Sequence, residues 1–186
     1  MLSGLIVLLV LEFIFRTFLE IREARIFSRK NRFAMIRVIP FLNDFVPFPE
    51  NIHQEEKNNP FITFHEEAHQ KHRHTLSRLL LKGVFFFICI LGLFYVVDQW
   101  KVSLIEIVIL FHLALFVLQI PYHYYIWQQE FEADEYATKK TSPTQAKKQL
   151  RLLVEEEIPY SPLFALLYRE HPPATQRLKK VLEKRS

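Results

Sequence analysis

The sequence predicts a mainly α, polytopic membrane protein, with about three transmembrane helices carrying a small helical unit on the cytoplasmic side. Its apolar residues gather in blocks at 1–19, 79–97 and 102–127 instead of spreading along the chain. Each block approaches the roughly 20 mainly apolar residues that a helix needs to cross a bilayer. Between and beyond the blocks the chain is dense in Arg, Lys, Glu and Pro. A soluble domain of 186 residues would have to bury all three blocks in one core, so the membrane reading is the stronger.

The first block, "MLSGLIVLLVLEFIFRTFLE", has no basic leader and no small-x-small cleavage site, so it reads as a retained anchor and not as a secretory signal. Glu12 and Arg16 stand one helical turn apart and can pair. A carboxylate inside a membrane helix is costly, so Glu12 is expected to face protein or an interface. A surface-lying amphipathic helix is the alternative for this block. The next stretch, "IREARIFSRKNRFAMIR", is strongly basic, and "IRVIPF" at 36–41 is the one candidate strand. Asn59 followed by Pro60 is a helix-start signal, and no breaker follows Phe61 before Gly83. The second block is very apolar after Lys82, whose long stem can carry its charge to the headgroups.

A tight hairpin at 98–101 joins the second block to the third. The third carries Glu106 and His112, read as lying near interfaces or satisfying one another. It ends in a Tyr/Trp-rich segment resembling an interfacial belt, with Pro121 as a kink or the point of emergence. The division that follows is 1–20 anchor, 21–78 cytoplasmic segment, 79–127 membrane hairpin and 128–186 cytoplasmic C-terminal part. Lys71, Arg73, Arg78, Lys82, Lys139 and Lys140 join the arginines at 22–37 on one side, which the positive-inside rule puts in the cytoplasm. Topology thus accounts for most of the +4 formal charge. No nucleic-acid motif accompanies the basic residues, so no nucleic-acid partner is expected. Cys89, the single cysteine, can form no intrachain disulfide and reads as a small apolar side chain.

Chemistry concentrates in "NNPFITFHEEAHQKHRH", residues 58–74, which contains His65-Glu66-Glu67-Ala68-His69. On a helix, His65 and His69 at i and i+4 project from one face. That spacing sets two imidazoles side by side for a tetrahedral zinc ion, with Glu66 offset toward a water. A solvated, His-rich helix would show the same residues, so a third ligand decides. "WQQEFEADEYA", at the end of the third block, offers Glu130, Glu132 and Asp134. Glu130 and Asp134 share a helix face, where one can bind metal and the other buttress a ligand. Two membrane passes separate His69 from Glu130, which returns the acidic segment to the same side.

"HEEAHQKHRH", then "EFEAD" after two apolar spans, then "YREHPPATQRLKKV" resemble the integral-membrane zinc metallopeptidases that include the HtpX heat-shock protease and the type I CAAX prenyl endopeptidases. The resemblance implies a gluzincin-like peptidase unit holding one zinc ion per chain through His65, His69 and Glu130, with Glu66 as catalytic base. It implies that Asp134 supports the ligand side of the site, and it places His74 at a further family histidine. His171 falls on a histidine that stabilises an oxyanion, and Arg177 on an active-site or structural arginine. The expected partners are a peptide or membrane-protein substrate and the lipid bilayer; no oligomeric state is implied. The expected location is the cell inner membrane, with site and C-terminus cytoplasmic. The alternatives are an inactive zinc-binding adaptor and a non-metal structural membrane protein. The chain departs from the family in having Ala68 where Gly is common, a single span before the motif, and no Asn-Ala-Phe edge strand before Phe61.

Overall fold

The computed structural model describes residues 1–27, 38–41, 59–157 and 159–183. Its helices are α1 Leu2–Phe27, α2 Pro60–Lys71, α3 His74–Trp100, α4 Leu104–Lys140, α5 Pro143–Glu156, α6 Pro162–Tyr168 and α7 Ala174–Glu183. No strand occurs among the described residues. Of the candidate strand, Val38 is helical and residues 39–41 form a bend and turn. Pro40 lacks a backbone donor for a ladder, and Phe41 takes a φ of 70° that no strand accommodates. The rest of that candidate, and the region where the edge strand was sought, lie outside the described residues.

Three helices, Leu2–Ile26, His74–Trp100 and Leu104–Lys140, are long and apolar enough to cross a membrane. Large apolar side chains stand open along them, as with Phe94 at 73% and Leu104 at 76% exposure. Surface of this extent is covered by lipid or by protein, and its length and composition make the chain an integral-membrane protein. At 1.5 Å per residue, the 37 residues of α4 extend about 55 Å, well beyond a hydrocarbon core of about 30 Å. The helix continues through Pro121 instead of ending there.

The chain divides into two compact units, Met1–Phe48 with Lys82–Pro121, and Pro49–Leu81 with Tyr122–Ser186. In the first unit, α1 buries Leu5, Glu12, Arg16, Leu19, Glu20 and Glu23 along one stripe at helical spacing. Arg16 Nε donates to Glu12 Oε1 at 2.7 Å. His112 Nε2 lies 3.1 and 3.0 Å from the two Glu12 oxygens. The Arg16 guanidinium sits 4.6 Å over the Phe116 ring, and Phe41 lies 4.2 Å from His112. Glu106 is not the partner of His112. Its Oε2 accepts from Ser103 N at 2.9 Å and from Ser103 Oγ at 3.0 Å, while its own N donates to Ser103 Oγ at 3.4 Å. Ser-x-x-Glu here is a reciprocal helix cap, so the charge closes the start of α4. The hairpin connection is 101–103, with Lys101 at φ 47° making the reversal.

The second unit builds its core from Phe61 of α2, Ala137 of α4, and Ala146 and Leu150 of α5. Phe64, Leu153, Leu178 and Val181 pack against that core, drawing α7 onto it. Each fully buried large side chain contributes about 1.5–3 kcal/mol, so this packing holds α2 and α4 in register beside one another. Three starts share one device, a polar cap followed by proline. Asn59 Oδ1 accepts from Phe61 N at 3.0 Å, Ser142 Oγ from Gln145 N at 3.2 Å, and Ser161 Oγ from Phe164 N at 3.4 Å. Asn59 Nδ2 also donates to Gln149 at 2.5 Å, tying α2 to α5.

Two sequence expectations change here. The helix from Phe61 does not run unbroken to Gly83; it stops at Lys71, and Arg73 turns at φ 52° before α3 begins. The Tyr/Trp belt is only half a belt, for Tyr124 and Tyr125 are exposed while Tyr122 and Trp127 are buried. Trp127 Nε1 donates to the Arg169 carbonyl at 3.2 Å, and His123 Nδ1 bonds the Leu166 carbonyl at 2.7 Å. These two bonds fasten the segment before His171 to α4.

Candidate metal centre

α2 presents His65 and His69 one turn apart, and α4 presents Glu130 toward them. His65 Nε2 lies 3.1 Å from His69 Nε2. Glu130 Oε2 is 3.4 Å from His65 Nε2, and Glu130 Oε1 is 3.5 Å from His69 Nε2. One ligand atom from each of the three residues can be chosen so that all lie within 4.8 Å of one another. A tetrahedral ion with bonds of about 2.0–2.1 Å has ligand–ligand edges of about 3.3–3.4 Å. The separations of the two Nε2 atoms from each other and from the nearest Glu130 oxygens are of that size, and two imidazoles with a carboxylate are a donor set suited to zinc. The residues present therefore fit a metal ion.

The surroundings orient these donors. His65 Nδ1 is 3.0 Å from Asp134 Oδ1. Asp134, nearly inaccessible, accepts from Arg177 Nε at 2.8 Å and from Arg177 Nη2 at 2.6 Å. A carboxylate behind a ligating imidazole fixes its tautomer and orientation. Glu130 Oε1 accepts from Arg78 Nη2 at 2.9 Å, and Arg78 Nε donates to Gln129 Oε1 at 2.6 Å. Gln129 Nε2 reaches Ser77 Oγ at 2.8 Å. The first turns of α3 thereby grip α4 beside its acidic segment.

Charge follows geometry. Burial disfavours a charged His65, but its bonds to Asp134 and Glu130 outweigh this and raise its pKa. Burial lowers His69 to about 4, only partly opposed by the Glu130 charge. Burial would raise both carboxyls; His171 and His65 instead pull Glu130 well below the usual range, and Arg177 does so for Asp134. Two anionic carboxylates and a neutral His69 suit a cation, and an ion at His65 would have to displace the proton that its raised pKa favours.

The other sequence candidates are distributed unevenly. Glu66 is solvent-exposed on α2, next to His65. His171 Nδ1 approaches Glu130 Oε2 at 3.3 Å. Its position is set by Pro172 and Pro173, both fully buried, and by Glu157. The Glu157 carboxylate pairs with Arg169 and accepts from Ala174 N at 2.6 Å. Arg177 is committed to Asp134, its Nη1 standing 4.0 Å from Glu130 Oε2. His74 is buried, with Nδ1 2.8 Å from His69 Nδ1. The sequence reading gives Arg78 only a topological role and places neither it nor Gln129 nor Glu157 at the site. The only available signal was Arg78 falling one turn beyond His74 on the same helix.

A His-x-x-x-His pair on one helix, a glutamate from a second helix and a buttressed imidazole define a zinc-peptidase-like centre on a membrane-anchored helical scaffold. The chain belongs to peptidase family M48, whose model matches residues 51–185, a span containing every member of the cluster. No curated protein and no solved structure matches the chain.

Proposed function

We propose that this protein is a membrane-embedded, zinc-dependent endopeptidase acting on peptides or membrane proteins, in the manner of membrane-protein quality control. The observation carrying this reading is the His65–His69–Glu130 triangle with Asp134 and Arg177 behind His65. Those three residues would hold one zinc ion, which when bound acidifies water and polarises a carbonyl. Glu66, beside His65 and open to solvent, takes a proton from the attacking water and passes it to the leaving amine as the C–N bond breaks. His171, partly exposed and anchored through the Pro172–Pro173 segment, stands where it can donate to the oxygen that gains charge. Arg177 keeps Asp134 ionised and His65 aligned. The basic residues Lys71, Arg73, Arg78, Lys139 and Lys140 support a cytoplasmic site and C-terminus at the cell inner membrane.

The test is metal analysis and proteolysis on the full chain in detergent. Stoichiometric zinc is expected, with cleavage of an unfolded substrate that falls by about 10²–10⁴-fold in Glu66→Gln while zinc is retained. Unchanged cleavage in Glu66→Gln overturns the mechanism. Zinc binding without any Glu66-dependent turnover identifies an inactive adaptor, and no bound zinc identifies a structural protein.

A further inference from the structure

We propose that His74 and Glu132 form a relay that orients the imidazole of His69, as Asp134 does directly for His65. The inference rests on the metal-site reading above, and it concerns residues for which that reading needs no role.

His69 and His74 meet through their Nδ1 atoms at 2.8 Å. Of two imidazole nitrogens at that distance, one donates and the other accepts. Nε2 of His69 belongs to the triangle with His65 and Glu130. As a metal donor it presents its lone pair there, so the proton of His69 sits on Nδ1. His74 must then accept at Nδ1 and carry its own proton on Nε2. That Nε2 lies 3.4 Å from Glu132 Oε2. One arrangement of protons, with His69 donating to His74 and His74 donating to Glu132, satisfies both contacts. His74 is 3% exposed, so its two nitrogens depend on these protein partners. His72 covers it with a stacked ring 5.6 Å away, and its Nδ1 stands 3.7 Å from Glu132 Oε1.

The backbone is shaped for this contact. In a straight helix, residues five apart point about 140° away from each other, so His74 could not face His69. The helix stops at Lys71, and Arg73 adopts φ 52°, a conformation that side-chain-bearing residues seldom take. The turn returns His74 to the face it would otherwise leave. Each histidine of the pair thus has a carboxylate behind it, one in direct contact and one acting through a second imidazole.

The experiment measures zinc affinity of the full chain in detergent by competition with a chromophoric chelator, and histidine tautomers by ¹⁵N NMR of the zinc-loaded protein. His74→Ala is expected to weaken zinc binding by about 10–100-fold, the range for lost partners of metal ligands. Glu132→Ala, at a half-exposed position with little folding risk, should weaken it by up to about tenfold, and Glu132→Gln should recover most of that through its remaining acceptor oxygen. Because Glu132 acts through His74, the double variant should bind zinc no more weakly than His74→Ala alone. His69 should carry its proton on Nδ1 and His74 on Nε2. Losses that multiply in the double variant, a proton on Nε2 of His69, or affinities unchanged within about twofold would each overturn the relay and leave the peptidase reading standing. A wild-type chain that takes up no zinc overturns both, and the Glu66→Gln comparison shows separately whether catalysis survives.

Discussion

Each unit of this protein buries a cluster built from the same ingredients, yet the two have different chemistry. In the first unit, Glu12 is shared by Arg16 and His112, and aromatic rings close the group on both sides. The described polar contacts there run from Arg16 and His112 to one carboxylate, so His112 Nε2 and both Glu12 oxygens already face a protein partner. In the second unit, two carboxylates and three imidazoles meet two arginines, and the Nε2 atoms of His65 and His69 lie 3.1 Å apart, each beside a different Glu130 oxygen. Arg78 donates to Glu130 Oε1 and Arg177 to both Asp134 oxygens, so each carboxylate holds an arginine as well as an imidazole. Burial and composition alone do not distinguish an ion-paired helix contact from a candidate metal site; a His/His/Glu set whose ligand atoms can all lie within 4.8 Å of one another does.

Removing a ligand should break the comparison most severely. His65→Ala or Glu130→Ala is expected to abolish zinc retention, read by metal analysis after gel filtration, whereas His112→Ala should retain zinc at wild-type stoichiometry. Loss of zinc from the His112 variant would show that the clusters are not independent. Next in size is the closed cluster itself. Glu12→Ala leaves Arg16 and His112 without their shared carboxylate, and removing one partner of a buried pair costs about 3–5 kcal/mol. A large fall in the detergent unfolding midpoint is expected, with His112→Ala falling less because Arg16 keeps its partner. Asp134→Asn sharpens the other half, weakening zinc by about 10–100-fold, while the same loss of charge has no counterpart at Glu106. The smallest effect is at the cap of α4, where Ser103→Ala should cost about 0.5–2 kcal/mol and leave zinc affinity unchanged.

What the sequence disclosed follows the range of the interactions involved. The three spans, the Asn59-Pro60 start and the His65/His69 pair are local patterns, and periodicity reveals such patterns directly. Glu130 was legible because two apolar spans return the chain to the side it left. The Glu106 cap was equally local, yet a charge beside an apolar block invites a membrane reading before a capping one. Arg78 on Glu130 spans 52 residues and Arg177 on Asp134 spans 43, so neither partner is written near the other. The break at Arg73 was the least legible feature. A positive φ at arginine has no compositional mark, and tertiary contacts to His74 hold it there.

The Arg177–Asp134 pair also sets an order in time. A ribosome delivers the chain from its N-terminus, so His65, His69 and Glu130 emerge before the arginine that aligns His65. A nascent chain stalled short of residue 177 carries all three candidate ligands but lacks the arginine that pairs with Asp134 behind His65. On the proposed peptidase reading, a chain truncated before residue 177 should therefore bind zinc more weakly than the full chain even though it contains His65, His69 and Glu130.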